Sequence, residues 1–380
     1  MPTSLNTKIQ TLLNQRIDAG VEVGLQVAVY HRGEMVADAW AGVADATSGR
    51  PVDGETLFTS WSTTKGFVAT CLHLLAERGQ LDYDTPIATY WPEFAQNGKE
   101  SATVRHALTH TVGLPQMPDD PTPAMMCDWQ AMCDFLAAQA PLWTPGSRTG
   151  YHAWTFGWLV GEIVHRVDGR PLAQFAQEEL CQPLGIRDFY LGIPDEVEAR
   201  VATLQHAPPV ADVPAPGELL LRCLPPAVTN AQTVNRPDIR RASIPGGGGI
   251  MNARAIARHY AMLAGGGSLD GVRLLSPERI DQMRSLQTDD HDIVRDRQIR
   301  RGMGYVLGGL ETAGGNQAMG NAGNEFGHPG LGGSIGFADP ARQLSLGLTK
   351  TLLTAHPDPT ESTAFLVAEA IRKHLDGKLV

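Results

Sequence analysis

Apolar residues recur at helical spacing near the start of the chain, at Leu5, Ile9, Leu12, Leu13 and Ile17. This spacing predicts an amphipathic helix over residues 4–18. Residues 23–31 and 35–43 have the composition of strands, and the turn between them makes the pair a hairpin. A nearly all-apolar stretch follows Ser62 and ends at Gly79, which predicts a helix buried inside a domain.

The middle of the chain has a different pattern, because proline and tryptophan become frequent and no convincing strand occurs between about residues 84 and 240. We predict helices at 101–110, 128–140 and 155–182, followed by a long Pro-rich connection over 205–241. Pro245 and four glycines then form a tight turn, and Asn252 is a plausible N-cap for the next helix.

Strand patterns return in the last part of the chain, at 302–310, 333–338 and 343–350, before a final helix at 359–375. We therefore predict an α+β fold in which an antiparallel sheet, shared by the two ends of the chain, is flanked by helices. The predicted domains are a discontinuous sheet domain, 1–83 and 245–380, and an inserted, mostly helical domain, 84–244.

The composition narrows the choice of partners. The chain has 380 residues and a formal net charge of -10, which argues against nucleic acid or an anionic membrane surface as a partner. The N-terminus lacks a signal-peptide h-region and no run of about 18 apolar residues occurs, so we expect a cytoplasmic protein without a membrane span. Five cysteines without a Cys-x-x-Cys motif favour reduced thiols.

Candidate chemistry is concentrated in Ser62-Thr63-Thr64-Lys65, a Ser-x-x-Lys motif at the start of the buried helix. Residues three apart on a helix are neighbours, so Lys65 can reach the Ser62 hydroxyl. Burial would lower the pKa of this lysine and let it act as a base, and the helix N-terminus would favour an oxyanion. The motif alone is equally compatible with a capping serine beside a solvated lysine.

Three other patterns have alternative interpretations. His106 and His110 have a metal-binding spacing, but no third ligand stands out, and we interpret them as structural. The glycines after Pro245 lack the residues of a phosphate-binding loop. Gly332-Gly-Ser334-Ile-Gly336 matches the nucleophile elbow of α/β-hydrolases, but a turn and a strand follow it where that elbow needs a helix.

Two further segments could complete a site. Tyr151 follows a loop that leads into a helix, where catalytic groups are often located. The Gly-rich segment from Gly327 to Ser334 would let a substrate approach the backbone closely, and its N–H groups could act together with that of Ser62 as an oxyanion hole.

The ordered set of Ser-x-x-Lys, Tyr151 and a His-Pro-Gly strand resembles the serine β-lactamase and penicillin-recognising family, over about residues 20 to 370. The similarity is to the class C β-lactamase-like branch, in particular the family VIII carboxylesterases. The stretches that carry it further are Thr103–Pro115, Pro245–Gly249 and Phe326–Pro340. The resemblance implies a β-lactamase/transpeptidase-like fold.

The resemblance also assigns roles. It implies Ser62 as nucleophile, Lys65 as its base and Tyr151 as proton relay, with no metal or organic cofactor. The implied oxyanion donors are the N–H groups of Ser62 and Leu331, and the implied substrate-binding residues are His328, Gly330 and Trp154. Two departures stand out: Ala153 replaces the asparagine of the family's Tyr-x-Asn motif, and His328-Pro329 replaces its Lys-Thr. A partly charged His328 would hold an anion less firmly than lysine.

We therefore expect a serine hydrolase that cleaves small-molecule carboxylic esters through an acyl-enzyme on Ser62. The alternatives are a β-lactamase or D-amino-acid peptidase, an acyltransferase that uses the same acyl-enzyme, and a non-catalytic ligand-binding relative. The intact Ser62, Lys65 and Tyr151 argue against the last. The sequence leaves the oligomeric state open.

Overall fold

A computed structural model describes residues 4–208, 216–310, 314–354 and 358–377. Its helices are, in chain order, α1 (Ser4–Asp18), α2 (Thr64–Glu77), α3 (Ile87–Tyr90), α4 (Val104–Leu108), α5 (Pro123–Cys127), α6 (Trp129–Ala138), α7 (Thr155–Asp168), α8 (Leu172–Phe175), α9 (Glu218–Cys223), α10 (Ala231–Val234), α11 (Pro237–Arg241), α12 (Ala253–Ala264), α13 (Pro277–Arg284) and α14 (Thr363–Leu375). In the described part of the chain, no helix is both long and apolar enough to span a membrane.

The strands are β1 (Gly24–His31), β2 (Glu34–Asp45), β3 (Arg50–Pro51), β4 (Phe58–Thr59), β5 (Phe189–Tyr190), β6 (Gln205–His206), β7 (Ile250–Met251), β8 (Ser268–Leu269), β9 (Val272–Arg273), β10 (His291–Asp292), β11 (Arg297–Gln298), β12 (Val306–Leu307), β13 (Phe326–Pro329), β14 (Ile335–Asp339), β15 (Leu344–Lys350) and β16 (Leu352–Leu353). A seven-stranded antiparallel sheet has the order β12-β13-β14-β15-β1-β2-β3. Both ends of the chain contribute to it, which confirms the predicted shared sheet and the α+β fold.

Helices cover both faces of this sheet. On one face, alternate residues of β1, including Val27 and Val29, pack in a cluster with apolar residues of α1 and α14. On the other face α12 lies directly against the strands, and a methyl group at Gly347 would come within 2.4 Å of the Ala253 carbonyl oxygen. The sheet is therefore the middle layer of three, and β13 is held in it between β12 and β14.

α2, whose residues from Thr64 to Ala76 are all buried, packs against α7, and α3, α4 and α6 pack in turn against α7. The small sheet β4-β7-β5 brings the segment before α2 into contact with two distant parts of the chain. This packing surrounds the first turn of α2 on several sides. The domain boundaries at 83/84 and 244/245 stay a prediction.

Several predicted elements differ from the observed ones. The helix predicted at 101–110 is only α4, because Thr103 caps its start and His110 has a φ of 60°. The helix predicted at 155–182 is interrupted after α7 by Gly169, whose φ is 91°, and by Pro171. The strand predicted at 302–310 reduces to β12, because Gly304 and Gly309 have positive φ on either side of it.

The middle of the chain also contains two short strands, β5 and β6, that the sequence pattern does not reveal. The predicted connection over 205–241 contains α9, α10 and α11, and residues 209–215 of it lie outside the described residues. These elements are too short to show a period of either 2 or 3.6 residues, so hydrophobic spacing could not identify them. Elsewhere, Asn252 is the N-cap of α12, as predicted, and accepts a hydrogen bond from Ala255 N–H.

Candidate active site

Ser62 is held at a sharp turn in front of α2. It lies in a 3₁₀ turn, Trp61–Thr63, and not in the helix itself, which corrects the prediction by two residues. Trp61 before it has a φ of 49°, a left-handed conformation that is uncommon for a bulky residue and is tolerated where surrounding packing enforces it. Between Thr56 and Ala76, Ser62 is the one residue that is not buried. The turn therefore leaves the Ser62 hydroxyl accessible within an otherwise buried stretch.

Lys65 lies in the first turn of α2, fully buried behind Ser62. Its Nζ is 3.0 Å from Ser62 Oγ and 2.6 Å from the Ala153 carbonyl oxygen, and it also donates to the Gly246 carbonyl. Burial lowers the pKa of Lys65 well below its ordinary value. A neutral amine has two N–H groups, and both can donate to these two carbonyl oxygens. The nitrogen lone pair is then left to face Ser62 Oγ.

Tyr151 also contacts Ser62. Its hydroxyl donates to Ser62 Oγ at 2.7 Å, and Lys65 Nζ lies 5.0 Å from the centre of its ring. Burial raises the pKa of Tyr151, although the hydrogen bond to Ser62 acts in the opposite direction. The phenol therefore keeps its proton at neutral pH. Ser62 Oγ thus has a potential base and a potential acid within hydrogen-bond distance.

The end of β13 lies against the Ser62 turn. A methyl group at Gly330 would come within 2.5 Å of the Ser60 carbonyl oxygen and 2.1 Å of Ser334 Oγ, so this approach requires glycine. Leu331 follows in a 3₁₀ turn and is 40% exposed, beside the same cavity as Ser62. The N–H groups of Ser62 and Leu331 are thus placed on adjacent segments.

Ser334 is not an exposed nucleophile. It is buried, its Oγ donates to the Ser60 carbonyl at 2.9 Å, and the strand β14 follows it directly. The arrangement lacks the helix of a nucleophile elbow, as the sequence analysis expected. Ser334 instead fastens the turn after β13 to the segment before Ser62.

His328 has a different charge from the one expected. It is buried, and its Nδ1 donates to the Pro329 carbonyl at 2.8 Å. Burial lowers the pKa of His328 well below its ordinary value. The expectation of a partly charged imidazole at pH 7 is therefore wrong, because the site withdraws the ring from water.

A cavity of about 360 Å³ opens in front of Ser62. Trp61 and Trp154 form part of its wall, with ring centres 5.8 Å apart, and Trp154 Nε1 donates to Thr229 Oγ1. The described residues that line this cavity include no aspartate or glutamate, although the whole chain carries a net charge of -10. Its charged lining consists of Arg295, Arg297 and Arg301. The electrostatics of the cavity therefore differ from those of the protein as a whole.

The alternative sites have structural explanations. His106 Nδ1 accepts from Thr103 N–H in a capping box, and His110 Nδ1 accepts from His152 N–H. No group of three or more metal-binding side chains occurs among the described residues. The glycine turn packs closely on its neighbours, since a methyl group at Gly246 would lie 2.2 Å from the Trp154 carbonyl oxygen. The interpretation of this turn as a close-packing device is confirmed.

Sequence reasoning missed several residues of the site. Trp61 is next to the motif, but nothing in its identity indicates its left-handed conformation. Asp292, Arg295 and Arg301 come from the β10–β11 hairpin and the segment after it, which is so rich in charge that it has the composition of a solvated loop. Contact with Tyr151 depends on the tertiary fold, and no local pattern encodes it.

The arrangement of the sheet, the helices and the Ser62 turn is that of a β-lactamase/transpeptidase-like fold. The family model for beta-lactamase matches residues 10–370, so the chain belongs to the beta-lactamase family. It is 32% identical over 361 residues to "Esterase/beta-lactamase LipL" of Mycobacterium tuberculosis, covering 90% of this chain and 80% of that protein.

Two solved structures are similar over nearly the whole chain. A family VIII carboxylesterase superposes with a TM-score of 0.89 at 34% identity, covering 98% of both chains. A penicillin-binding protein homolog from Caulobacter crescentus superposes with a TM-score of 0.87 at 34% identity, covering 97% of both chains. The expected membership of the family and the expected fold are confirmed.

Proposed function

We propose that this protein is a serine hydrolase that cleaves carboxylic esters through an acyl-enzyme on Ser62. The observation that carries the proposal is the half-buried Ser62 hydroxyl beside the cavity, with a buried lysine at 3.0 Å and a tyrosine hydroxyl at 2.7 Å. The similarity to a carboxylesterase structure and to an esterase supports the choice of esters.

In the proposed first step, neutral Lys65 takes the proton of Ser62 while Oγ attacks the ester carbonyl carbon. The N–H groups of Ser62 and Leu331 stabilise the oxyanion. Tyr151 gives its proton to the leaving alkoxide as the carbon–oxygen bond breaks, and the proton on Lys65 restores the phenol. Water, deprotonated by the same pair, then attacks the acyl-enzyme and releases the acid and Ser62.

Esters are favoured over β-lactams and D-amino-acid peptides because the polar groups that would hold those substrates are missing. Ala153 has no carboxamide, Pro329 has neither a hydroxyl nor an N–H, and His328 is neutral. Each lost hydrogen bond to a charged group weakens recognition by roughly 1.5–3 kcal/mol. His328, Gly330 and Trp154 remain as walls of the proposed substrate site.

The test is a comparison of kcat/KM for p-nitrophenyl acetate, butyrate and octanoate with that for a chromogenic cephalosporin and a D-Ala-D-Ala peptide. We expect the best ester to exceed both other substrates. A higher value for the cephalosporin or the peptide would replace the esterase assignment with a β-lactamase or peptidase. Adding acceptor alcohols to the ester assay measures how far the acyl-enzyme is transferred to an alcohol in place of water.

A further inference from the structure

The loop that carries Tyr151 is fastened by a buried ion pair from a distant part of the chain. Asp292 and Arg301, whose side chains are 0% and 2% exposed, form this pair. Asp292 Oδ1 also accepts from the backbone N–H of Tyr151 at 3.2 Å. Arg301 Nη1 donates to Thr149 Oγ1 at 3.0 Å. The pair thus holds the chain at Tyr151 and two residues before it.

The same carboxylate organises the hairpin that covers the loop. Asp292 Oδ1 accepts from Val294 N–H at 2.9 Å and from Arg295 N–H at 2.8 Å. Ile293 N–H donates to the Thr149 carbonyl at 3.1 Å, so the hairpin and the loop are joined through their backbones as well. One carboxylate group therefore fixes the turn between β10 and β11 and the position of Tyr151 at the same time.

The cost of burying this pair indicates that it does more than add stability. Burial alone would raise the pKa of Asp292, but Arg301 and the backbone N–H groups outweigh it and keep the pKa below its ordinary value. Replacing a buried ion pair by apolar residues of similar size is often neutral for stability or even stabilising. The hydrogen bonds that Asp292 accepts from Tyr151, Val294 and Arg295, in contrast, fix a defined geometry. Here this geometry fixes the backbone of Tyr151, the proposed proton donor.

We propose that Asp292, together with Arg301, is a positioning residue that holds the Tyr151 hydroxyl within reach of the leaving oxygen. This proposal rests on the proposed function, in which Tyr151 protonates the leaving group. A displacement of about 1 Å in a catalytic group can slow a reaction by about two orders of magnitude. Asp292 does not contact the reacting atoms itself.

The ratio of kcat/KM for two esters with different leaving groups is a readout that a general loss of structure would not change. p-Nitrophenolate leaves without needing a proton, whereas an alkoxide such as ethoxide needs one in the transition state. If Asp292 acts through Tyr151, Asp292→Asn should lower kcat/KM for ethyl acetate roughly ten- to a hundredfold more than that for p-nitrophenyl acetate. Tyr151→Phe should show the same leaving-group dependence.

A double-mutant cycle tests the path of the effect. In the Tyr151→Phe background, Asp292→Asn should have little further effect on ethyl acetate hydrolysis, because the residue it positions no longer has a hydroxyl. Asp339→Asn is the matched control, since Asp339 is also a buried carboxylate paired with an arginine, Arg342, but lies on β14. It should leave the ratio of the two substrates unchanged.

If Asp292→Asn does not fold, the paired variant Asp292→Asn/Arg301→Gln removes both charges and places a neutral amide at each position. Equal losses for both esters, or additive losses with Tyr151→Phe, would overturn the positioning role. If Tyr151→Phe itself shows no leaving-group dependence, the assignment of Tyr151 as proton donor fails, and this outcome is distinguishable from a failure of Asp292 alone.

Discussion

At the scale of single residues, the chemistry proposed for Ser62 depends on the protonation state of one lysine. Lys65 is enclosed by carbonyl oxygens and by the rings of Tyr151 and Phe156, with Nζ 5.9 Å from the centre of the latter. Its hydrogen-bond partners among the described residues include no carboxylate, and burial withdraws the ammonium form from water. Burial therefore favours the neutral base over the cation.

Lys65→Arg should reduce kcat by roughly two to four orders of magnitude, the usual contribution of a general base. Arginine keeps the positive charge but does not lose its proton in proteins. In the wild type, kcat/KM should rise with pH as Lys65 loses its proton, and because the pKa is lowered this rise should occur below the ordinary range of lysine. A fully active Lys65→Arg enzyme would reduce Lys65 to an electrostatic role.

The arginines of the cavity give a second prediction at this scale. Arg295 is half-buried, its guanidinium carbon lies 5.9 Å from the centre of the Tyr151 ring, and it forms no ion pair within the described part of the chain. A cationic ester should therefore be a poor substrate. We expect 3,3-dimethylbutyl acetate to exceed its cationic isostere acetylcholine roughly ten- to a hundredfold in kcat/KM.

Arg295→Gln should reduce the difference in kcat/KM between the neutral and the cationic ester. Arg148→Gln should not, because Arg148 is exposed and does not line the cavity. Equal rates for the two esters in the wild type would mean that the cavity arginines do not act on the bound substrate.

At the scale of elements, the contact between β13 and the Ser62 turn determines the geometry of the proposed oxyanion hole. Gly330→Ala should push the end of β13 away from Ser60 and lower kcat by about two orders of magnitude, while the protein still folds. Gly217→Ala is the matched control, because a methyl group there meets no atom within 4 Å. A Gly330→Ala protein with wild-type kcat would show that catalysis does not require β13 to lie this close to Ser60.

The elements that could be predicted from sequence are those in which the alternation of hydrophobic and polar residues continues over several repeats. α1, the β1–β2 hairpin, β14, β15 and α14 agree with their predicted positions to within a few residues. The failures are short elements, such as β5 and the fragments after α7, where capping residues and left-handed glycines override local spacing. Tertiary contacts, which the sequence pattern does not contain, stabilise these pieces.

At the scale of the whole molecule, the interior contains histidines that the fold keeps uncharged. Burial lowers the pKa of His73, His152 and His259 to about 3. Their side chains have defined partners, for example the Tyr83 hydroxyl, 2.6 Å from His73 Nδ1, and Thr70 Oγ1, 2.8 Å from His259 Nε2. Each of the three must gain a proton when the protein unfolds in mild acid.

The unfolded chain takes up these protons below pH 6.5, whereas the folded chain does so only near pH 3, so stability is highest above pH 6.5 and falls as the pH decreases through that window. At pH 5 the loss should be roughly 2 kcal/mol per histidine. Urea denaturation at pH 7 and pH 5 measures it, and His259→Gln should reduce the difference. Equal unfolding free energies at the two pH values would contradict the neutral histidines.

The candidate site could be predicted from sequence only where its residues belong to ordered motifs. Ser62, Lys65 and Tyr151 meet in space as the motifs imply, because a helical turn and a short loop carry them. Asp292 and Arg301 come from more than a hundred residues further along the chain than Tyr151 and have no motif of their own. Their contribution depends on the path of the whole chain.

The most direct test of the central claim is to identify the residue that a fluorophosphonate probe modifies, by mass spectrometry of the digested protein. We predict a single adduct on the peptide that contains Ser62, its absence in Ser62→Ala, and normal labelling of Ser334→Ala, since Ser334 is buried and bonded to Ser60. An adduct on Ser334, or a Ser62→Ala protein that is still labelled and still hydrolyses p-nitrophenyl esters, would contradict an acyl-enzyme on Ser62.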